Sequence, residues 1–191
     1  PSRMLVQSSV YQKAVEIAKQ TAAQVEVDDP MKEGMHLGPL SSRVQFDKVQ
    51  GLIEKGIEEG AELIAGGPGK PEGLETGYFV KPTIFAGVNN QMTIAQEEIF
   101  GPVLTMIPFD TEEQAIEIAN DTPYGLAAYF STSDQQRAHR VAGQLSAGMV
   151  SLNSASQDYA APFGGYKQSG NGREWGEYGF DDFLEIKGIT G

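Results

Sequence analysis

The sequence predicts an α/β fold with an open, mostly parallel sheet, helices on both of its faces, and an additional C-terminal strand. Segments with helical apolar spacing alternate with short apolar runs along most of the chain. Several of those runs are apolar throughout, as expected for strands that are covered on both faces. Residues 103–153 read as strand, helix, strand, helix, strand, an order that predicts parallel strands joined by right-handed crossovers.

Four helices are predicted, and each begins at a Ser or Thr that is followed three residues later by Gln. In such a pair the hydroxyl accepts from a free backbone N–H of the first turn, and the Gln side chain reaches back toward the helix start. An apolar stripe at helical spacing follows each pair. The pairs are Ser9/Gln12, Ser42/Gln45, Thr111/Gln114 and Ser133/Gln136, and the helices span residues 9–25, 42–59, 111–120 and 133–145.

The apolar runs between the helices are predicted to be strands, and glycine-rich loops interrupt the alternation at residues 66–77 and 162–179. A last strand is predicted at residues 183–190, where Leu184 and Ile186 alternate with charged residues and leave one apolar face. We therefore divide the chain into residues 1–180 and a C-terminal strand segment, residues 181–191. The other predicted strands are residues 4–7, 63–65, 78–85, 103–109, 127–131 and 149–153.

Composition excludes several classes of function. The chain has 191 residues, no cysteine, two histidines and a formal net charge of -12. Without cysteine it forms no disulfide or zinc–thiolate site and provides no thiol nucleophile. The acidic surface repels phosphate backbones and argues against a nucleic-acid partner. The apolar runs are too short to cross a bilayer, so we expect no membrane partner and a cytoplasmic location.

The first candidate site is the segment 97–103, Glu-Glu-Ile-Phe-Gly-Pro-Val. Gly101 and Pro102 predict a sharp turn into the following strand, which holds Glu98 and Phe100 at the lip of the sheet. A carboxylate there accepts hydrogen bonds from both hydroxyls of a ribose, and an aromatic ring packs on a flat heterocycle. Spacing alone favours a different interpretation, a solvated acidic pair followed by a core Phe.

The second candidate site is the glycine-rich segment 162–174. Its Gly164–Gly165 pair permits positive φ and close approach of the backbone, and Phe163 and Tyr159 are placed to wall an apolar pocket. The alternative is a loop that packs against the domain, and glycine content alone does not separate the two interpretations.

Other residues of types that often occur in binding or catalytic sites are interpreted as structural. Residues 66–70 lack two positions of a phosphate-binding loop, and the glycines of residues 170–176 have the wrong spacing for a dinucleotide fingerprint. His36 and His139 are isolated from each other and are interpreted as surface histidines, so no metal site is expected. Trp175 is interpreted as a packing residue.

Four motifs, taken together, resemble those of the NAD(P)-dependent aldehyde dehydrogenases. They follow one another in the order of that family, and the resemblance covers essentially the whole chain. The motifs are GYFVKPT at residues 77–83, MTIAQEEIFGPV at 92–103, NDTPYGLAA at 120–128, and PFGGYKQSG at 162–170 continued by GRE at 172–174.

The resemblance implies roles for individual residues. By this resemblance, Glu98 is expected to bind the nicotinamide ribose, Phe100 to lie near the nicotinamide ring, and Phe163 to line the substrate tunnel. The loop 154–161, which contains Tyr159, is expected to shape the substrate pocket. It also implies that the last strand pairs between subunits of a homo-oligomer, a dimer or tetramer, which fits its single apolar face. The whole enzyme would oxidise a small-molecule aldehyde with NAD or NADP.

The family's catalytic groups are expected upstream of Pro1. They are the nucleophilic Cys, the general-base Glu, the oxyanion-hole Asn and the Rossmann domain, whose contacts separate NAD from NADP. In the whole enzyme a thiolate attacks the aldehyde, hydride passes to nicotinamide, and an activated water releases the acid. The chain alone, which contributes no catalytic residue, is expected to be inactive and to bind NAD weakly.

Two hypotheses for the chain stay open. It is either a fragment of an aldehyde dehydrogenase or a naturally short, non-catalytic assembly or scaffold protein with the same fold. A first residue other than Met, close to the expected Cys, favours the fragment. A third hypothesis, unaided nucleotide binding, predicts micromolar affinity of the chain alone for NAD.

Overall fold

A four-stranded sheet forms the first of two units in the computed structural model, which describes residues 2–191. Its strands are β1 (Arg3–Gln7), β2 (Glu62–Ala65), β3 (Thr83–Ala86) and β4 (Val103–Phe109). They lie in the order β1, β4, β3, β2 within this unit, Ser2–Ala115. β4 is parallel to β1 and β3, and β2 is antiparallel to β3. The predicted open, mostly parallel sheet is confirmed.

Helices pack on both faces of this sheet. They are α1 (Ser8–Ala22), α2 (Arg43–Glu58) and the short α3 (Thr93–Gln96). The core against α1 contains Ile84 of β3, whereas Phe85 of the same strand contacts α2, where a Cβ at Gly56 would lie 3.1 Å from Phe85 Cζ. Because successive strand residues point to opposite faces, α1 and α2 cover opposite sides, as predicted.

The second unit, Ile116–Gly191, contains a two-stranded parallel sheet. The remaining strands and α-helices are α4 (Glu112–Asn120), β5 (Ala127–Phe130), α5 (Gln135–Ala142), β6 (Met149–Leu152) and α6 (Tyr178–Asp181). β5 and β6 pair in parallel along their whole length, with α5 between them in sequence, as predicted. The expectation that β4 continues the same sheet is wrong, because both edges of β4 are already paired with β1 and β3.

Two of the four predicted capping pairs are confirmed. The Ser42 hydroxyl accepts from the backbone N–H of Gln45 (3.2 Å), and the Thr111 hydroxyl accepts from that of Gln114 (3.2 Å). The Gln114 side chain reaches back to the backbone N–H of Asp110 (2.7 Å). The Gln45 side chain turns instead to the chain segment around residue 99.

The other two capping pairs are wrong. α5 is capped by Asp134 and not by Ser133, since the Asp134 carboxylate accepts from the backbone N–H of Arg137 (3.1 Å) and a charged acceptor makes the stronger hydrogen bond. α1 follows β1 directly and has no side-chain cap. The Ser8 hydroxyl at its start donates to the Phe109 carbonyl (3.0 Å).

Two predicted strands differ from the structure. Residues 78–82 form no strand and pairing begins at Thr83, because Pro82 has no N–H to donate to a ladder. Within the described residues, 184–191 also form no strand, and the last backbone hydrogen bond runs from Leu184 N–H to Asp181 O (3.1 Å). A strand needs a hydrogen-bonding partner, and none of the six described strands pairs with this segment.

Candidate functional site

The segment 97–102 joins α3 to β4 and is seated directly on α2. The side chain of Ile99 is 1% exposed. A Cβ at Gly101 would lie 2.8 Å from Val49 Cγ2 of α2, so the close approach of the turn to the helix requires glycine there. The Pro102 carbonyl accepts from the backbone N–H of Thr83 (2.8 Å). The turn is therefore fixed against the helix on one side and against β3 on the other.

Two polar side chains of α2 hold the backbone of this turn. The Gln45 amide nitrogen donates to the carbonyls of Ile99 and Phe100, both at 2.9 Å. The Lys48 ammonium donates to the Glu98 carbonyl at 2.7 Å. Three consecutive carbonyls, those of residues 98, 99 and 100, are thus engaged by one helix.

The beginning of α3 is held by the other end of α2. Glu59 accepts from the Thr93 hydroxyl (2.6 Å) and from the Thr93 backbone N–H (2.7 Å). The hydrogen bond from the hydroxyl is the largest cause of a lowered pKa of Glu59, and the hydrogen bond from the backbone N–H lowers that pKa further. The whole stretch from Thr93 to Gly101 is therefore anchored along the length of one helix.

The side chains of Glu98 and Phe100 project from this anchored backbone without internal partners. The Phe100 ring is 69% exposed, so the interpretation as a core Phe is wrong and the buried residue is Ile99. Within residues 2–191 no hydrogen bond or ion pair reaches the carboxylate of Glu98, which is exposed. Phe100 has φ 56, a left-handed conformation that costs a residue other than glycine about 1–2 kcal/mol.

The two motifs of the second unit, residues 120–128 and 162–170, bind each other. Backbone N–H groups of Tyr166 and Gln168 donate to the carbonyls of Gly125 (2.8 Å) and Pro123 (2.9 Å), and the Ser169 hydroxyl accepts from the Gly125 N–H (3.0 Å). The Lys167 ammonium donates to the carbonyls of residues 120 (2.6 Å) and 122 (3.0 Å). Their joint occurrence in the sequence therefore has a structural reason.

Close backbone approach explains the glycine pair of the loop. A Cβ at Gly164 would overlap the Gly172 carbonyl oxygen, and a Cβ at Gly165 would lie 2.9 Å from the Ser169 carbonyl oxygen. Neither Gly164 nor Gly165 has positive φ, so that part of the expectation is wrong. Glycine is present here because side chains do not fit between the packed backbones.

The structure brings Phe163 and Tyr159 to a common neighbour. The ring of Trp175 lies 4.7 Å from that of Phe163 and 4.9 Å from that of Tyr159, between centroids. Phe163 and Glu174 exchange two backbone hydrogen bonds of 2.7 Å each, which places Trp175 beside Phe163. The packing role predicted for Trp175 is confirmed, and the residues that it packs against are both candidate substrate residues.

The histidines show no sign of a metal site. His36 is half-buried, with its Nε2 2.9 Å from the Asp29 carbonyl oxygen, and His139 is exposed on α5. No group of three metal-binding side chains occurs among residues 2–191. Over the same residues, no helix has the length and apolarity required to span a bilayer.

Sequence reasoning missed the roles of Gln45 and Lys48. Gln45 was assigned only to a helix cap, although Gln45, Lys48 and Val49 have the i, i+3, i+4 spacing that places residues on one helix face. The sequence did contain a signal for these contacts, namely polar residues next to an apolar stripe on a helix that covers a sheet. Which backbone they bind is not visible in local spacing, because Gln45 and Ile99 are 54 residues apart.

Comparison with known proteins decides the family. A model described as the aldehyde dehydrogenase family matches residues 1–189. The chain belongs to the aldehyde dehydrogenase family. A 3-succinoylsemialdehyde-pyridine dehydrogenase from a Pseudomonas species is 55% identical over 191 residues, which are 100% of this chain and 40% of that protein.

Solved aldehyde dehydrogenases share the fold of the chain. A mutant of aldehyde dehydrogenase C from Pseudomonas syringae, in complex with NAD+ and octanal, has a TM-score of 0.94 and 48% identity over 97% of this chain and 38% of its own. An aldehyde dehydrogenase from Mycobacterium tuberculosis, complexed with NAD+, has a TM-score of 0.91 and 48% identity over 95% of this chain and 38% of its own. The chain spans about two fifths of the length of these relatives.

Proposed function

We propose that this chain is the C-terminal part of an NAD(P)-dependent aldehyde dehydrogenase that oxidises an aldehyde to a carboxylic acid. Membership of the family over residues 1–189 supports the enzyme class. The two similar solved structures are NAD+ complexes, which supports a nicotinamide dinucleotide, NAD or NADP, as the cofactor. In this proposal the chain provides the contact with the nicotinamide, part of the substrate tunnel and a segment for assembly.

The observation that carries this proposal is the pair of unpartnered side chains on an anchored turn. The Glu98 carboxylate has two oxygens to accept the two hydroxyls of a ribose, and the exposed Phe100 ring offers a flat surface to the nicotinamide. A strained residue held in place by its surroundings is typical of functional sites. When bound, the nicotinamide accepts the hydride of the substrate, and these residues hold and orient it.

Phe163 and Tyr159 are the proposed substrate residues. Their shared contact with Trp175 makes a continuous aromatic surface, which suits the apolar part of an aldehyde. The Pseudomonas relative is named for a pyridine semialdehyde, and the Pseudomonas syringae structure contains octanal. Both compounds therefore belong in the first panel of substrates.

The first test compares the full-length enzyme with this chain. With octanal or 3-succinoylsemialdehyde-pyridine, full-length enzyme should reduce NAD+ or NADP+, measured by absorbance of the reduced nicotinamide. The chain alone should not, because it contains no cysteine to form the thiohemiacetal. If the full-length protein shows no aldehyde-dependent reduction of NAD+ or NADP+, the proposed enzyme activity is refuted. A non-catalytic assembly protein with the same fold is then the explanation.

The second test concerns Glu98. Glu98→Gln in the full-length enzyme should slow the hydride step about tenfold, because the loss of a charge-assisted hydrogen bond to the ribose is worth roughly 1.4 kcal/mol. Single-turnover kinetics measure that step apart from aldehyde attack. Glu97→Gln is the matched control, since Glu97 is an adjacent exposed carboxylate. A hydride step that is equally fast in Glu98→Gln and wild type rules out the assigned role.

The C-terminal segment is proposed to act in assembly of a homo-oligomer. Phe183, Leu184, Ile186 and Ile189 are all exposed, and the backbone beyond residue 184 has no hydrogen-bond partner within the described residues. Free N–H and C=O groups together with apolar side chains are what a strand added to another subunit requires.

A further inference from the structure

We propose that Asn171 is a site of spontaneous covalent modification, at which the side-chain amide converts to isoaspartate and aspartate and the loop that carries Phe163 is displaced. Asn171 is exposed and is followed by Gly172 in the second candidate site. The effect on aldehyde oxidation rests on the proposed function of Phe163, whereas the modification itself does not.

Asn171 differs from the other asparagines of the chain in both its neighbour and its contacts. The chain contains five asparagines, and Asn171 alone precedes a glycine, which has no side chain to hinder an approaching group. Its own side chain has no hydrogen-bond partner within residues 2–191. Hydrogen bonds engage the side chains of the other four, which are Asn89, Asn90, Asn120 and Asn153.

The backbone nitrogen of Gly172 is available for reaction with this side chain. Its N–H donates no hydrogen bond within the described part of the chain. Gly170 and Gly172 hold φ 106 and φ 80, and the space around Gly170 is open, because a Cβ there would meet nothing within 4 Å. The peptide groups on both sides of Asn171 therefore rotate without the barriers that side chains impose, and this rotation brings the Gly172 nitrogen to the amide carbon.

The reaction needs no reagent other than water. The Gly172 nitrogen bonds to Asn171 Cγ, the Cγ–Nδ2 bond breaks, and the proton of the Gly172 N–H passes through water to the departing nitrogen, which leaves as ammonia. Water then opens the cyclic imide. Opening at Cγ gives aspartate, and opening at the backbone carbonyl carbon gives isoaspartate. Water is supplied by a hollow of about 200 Å³, which Asn171 and Gly172 line together with Phe163.

Isoaspartate at residue 171 lengthens the main chain by a methylene group just before the contacts that seat the substrate loop. Arg173 Nη1 donates to the carbonyls of Gly172 (2.6 Å) and Gly165 (3.1 Å). Phe163 is held by two backbone hydrogen bonds to the residue that follows Arg173. The new carboxylate competes with these carbonyls for the guanidinium, because a charged acceptor makes the stronger hydrogen bond. The loop and Phe163 are displaced as a result.

The modification is tested by mass spectrometry of full-length enzyme aged in mildly alkaline buffer. Trypsin releases residues 168–173, and this peptide should gain about 1 Da and accept a methyl group from an isoaspartate-specific methyltransferase before any other asparagine peptide changes. Asn171→Gln is the matched control, since it keeps the amide but must close a larger ring, and its peptide should keep its mass. A synthetic peptide of residues 165–177 shows the reaction without the fold. If that peptide converts while the folded enzyme keeps residue 171 intact, the loop protects the amide and the proposal is overturned.

The consequence for the site is tested by kinetics on the same samples. Aged wild-type enzyme should lose about tenfold in kcat/KM for its best aldehyde, with the KM for the dinucleotide unchanged, and aged Asn171→Gln should match fresh enzyme. Wild-type enzyme that has converted at residue 171 and keeps its full kcat/KM overturns the displacement of Phe163. Fresh enzyme that oxidises no aldehyde would instead contradict the proposed function, and the mass measurement would still decide the modification.

Discussion

Gly148→Ala in the full-length enzyme should destabilise the protein by about 3 kcal/mol and reduce aldehyde oxidation on the order of a hundredfold. The added methyl group would overlap the Gly164 carbonyl and approach the Gly165 Cα to 3.1 Å. These neighbours are backbone atoms, so no side chain can turn aside to make room. The loop that carries Phe163 must move away from β6, and the substrate residues move with it.

Gly143→Ala is the control for that substitution. Gly143 is the C-cap of α5, and a Cβ there would lie 3.5 Å from the His139 carbonyl oxygen, an ordinary contact distance. The denaturation midpoint and kcat/KM should stay close to wild type. If Gly148→Ala behaves as Gly143→Ala does, the loop does not sit against Gly148 as described.

The helices show what local pattern predicts well. The start of α2 was predicted because a cap at Ser42 and an apolar stripe coincide, and the structure begins the helix one residue later. α5 was predicted with the wrong cap, because Ser133 and Asp134 are adjacent and a spacing rule does not weigh their acceptor strengths.

The candidate site shows why local pattern is insufficient. Spacing favoured a buried Phe100, yet Ile99 is buried and Phe100 is exposed, because the left-handed conformation at residue 100 reverses the direction in which the side chain leaves the backbone. Nothing in the neighbouring residues encodes that conformation. The Phe100 carbonyl accepts a hydrogen bond from Gln45, which lies 55 residues away in the sequence. The roles proposed for Glu98 and Phe163 come from the resemblance of whole motifs, not from spacing.

Sheet membership is a second property that the sequence does not contain. The order of elements between residues 103 and 153 predicted parallel strands, and β5 and β6 are parallel. β4 can join them only through an unpaired edge. Both of its edges are paired, one with β1 and one with β3, and those partners come from distant parts of the chain. The same reasoning applies at the C-terminus, where alternation of apolar and charged residues predicted a strand but could not supply its partner.

Removal of residues 183–191 should convert the full-length enzyme to a smaller oligomer or a monomer, measured by light scattering. The segment makes no contribution to either sheet of the chain, and its backbone hydrogen bonds end at Leu184. The far-ultraviolet circular dichroism should therefore be nearly unchanged. An unaltered particle mass would contradict the assembly role.

A pair of substitutions distinguishes an assembly strand from a merely solvated tail. Leu184 is 54% exposed and Ile186 97% exposed, so in an isolated tail their replacement by Ser would leave the particle mass unchanged. In a subunit interface the same change removes apolar contact, at roughly 25 cal/mol for each Å² withdrawn from water, and should shift the oligomer toward smaller species upon dilution. Glu185→Ser with Lys187→Ser alters the alternate positions of the segment. Because those side chains lie on the other face of a strand, the second pair should preserve the oligomer that the first pair weakens.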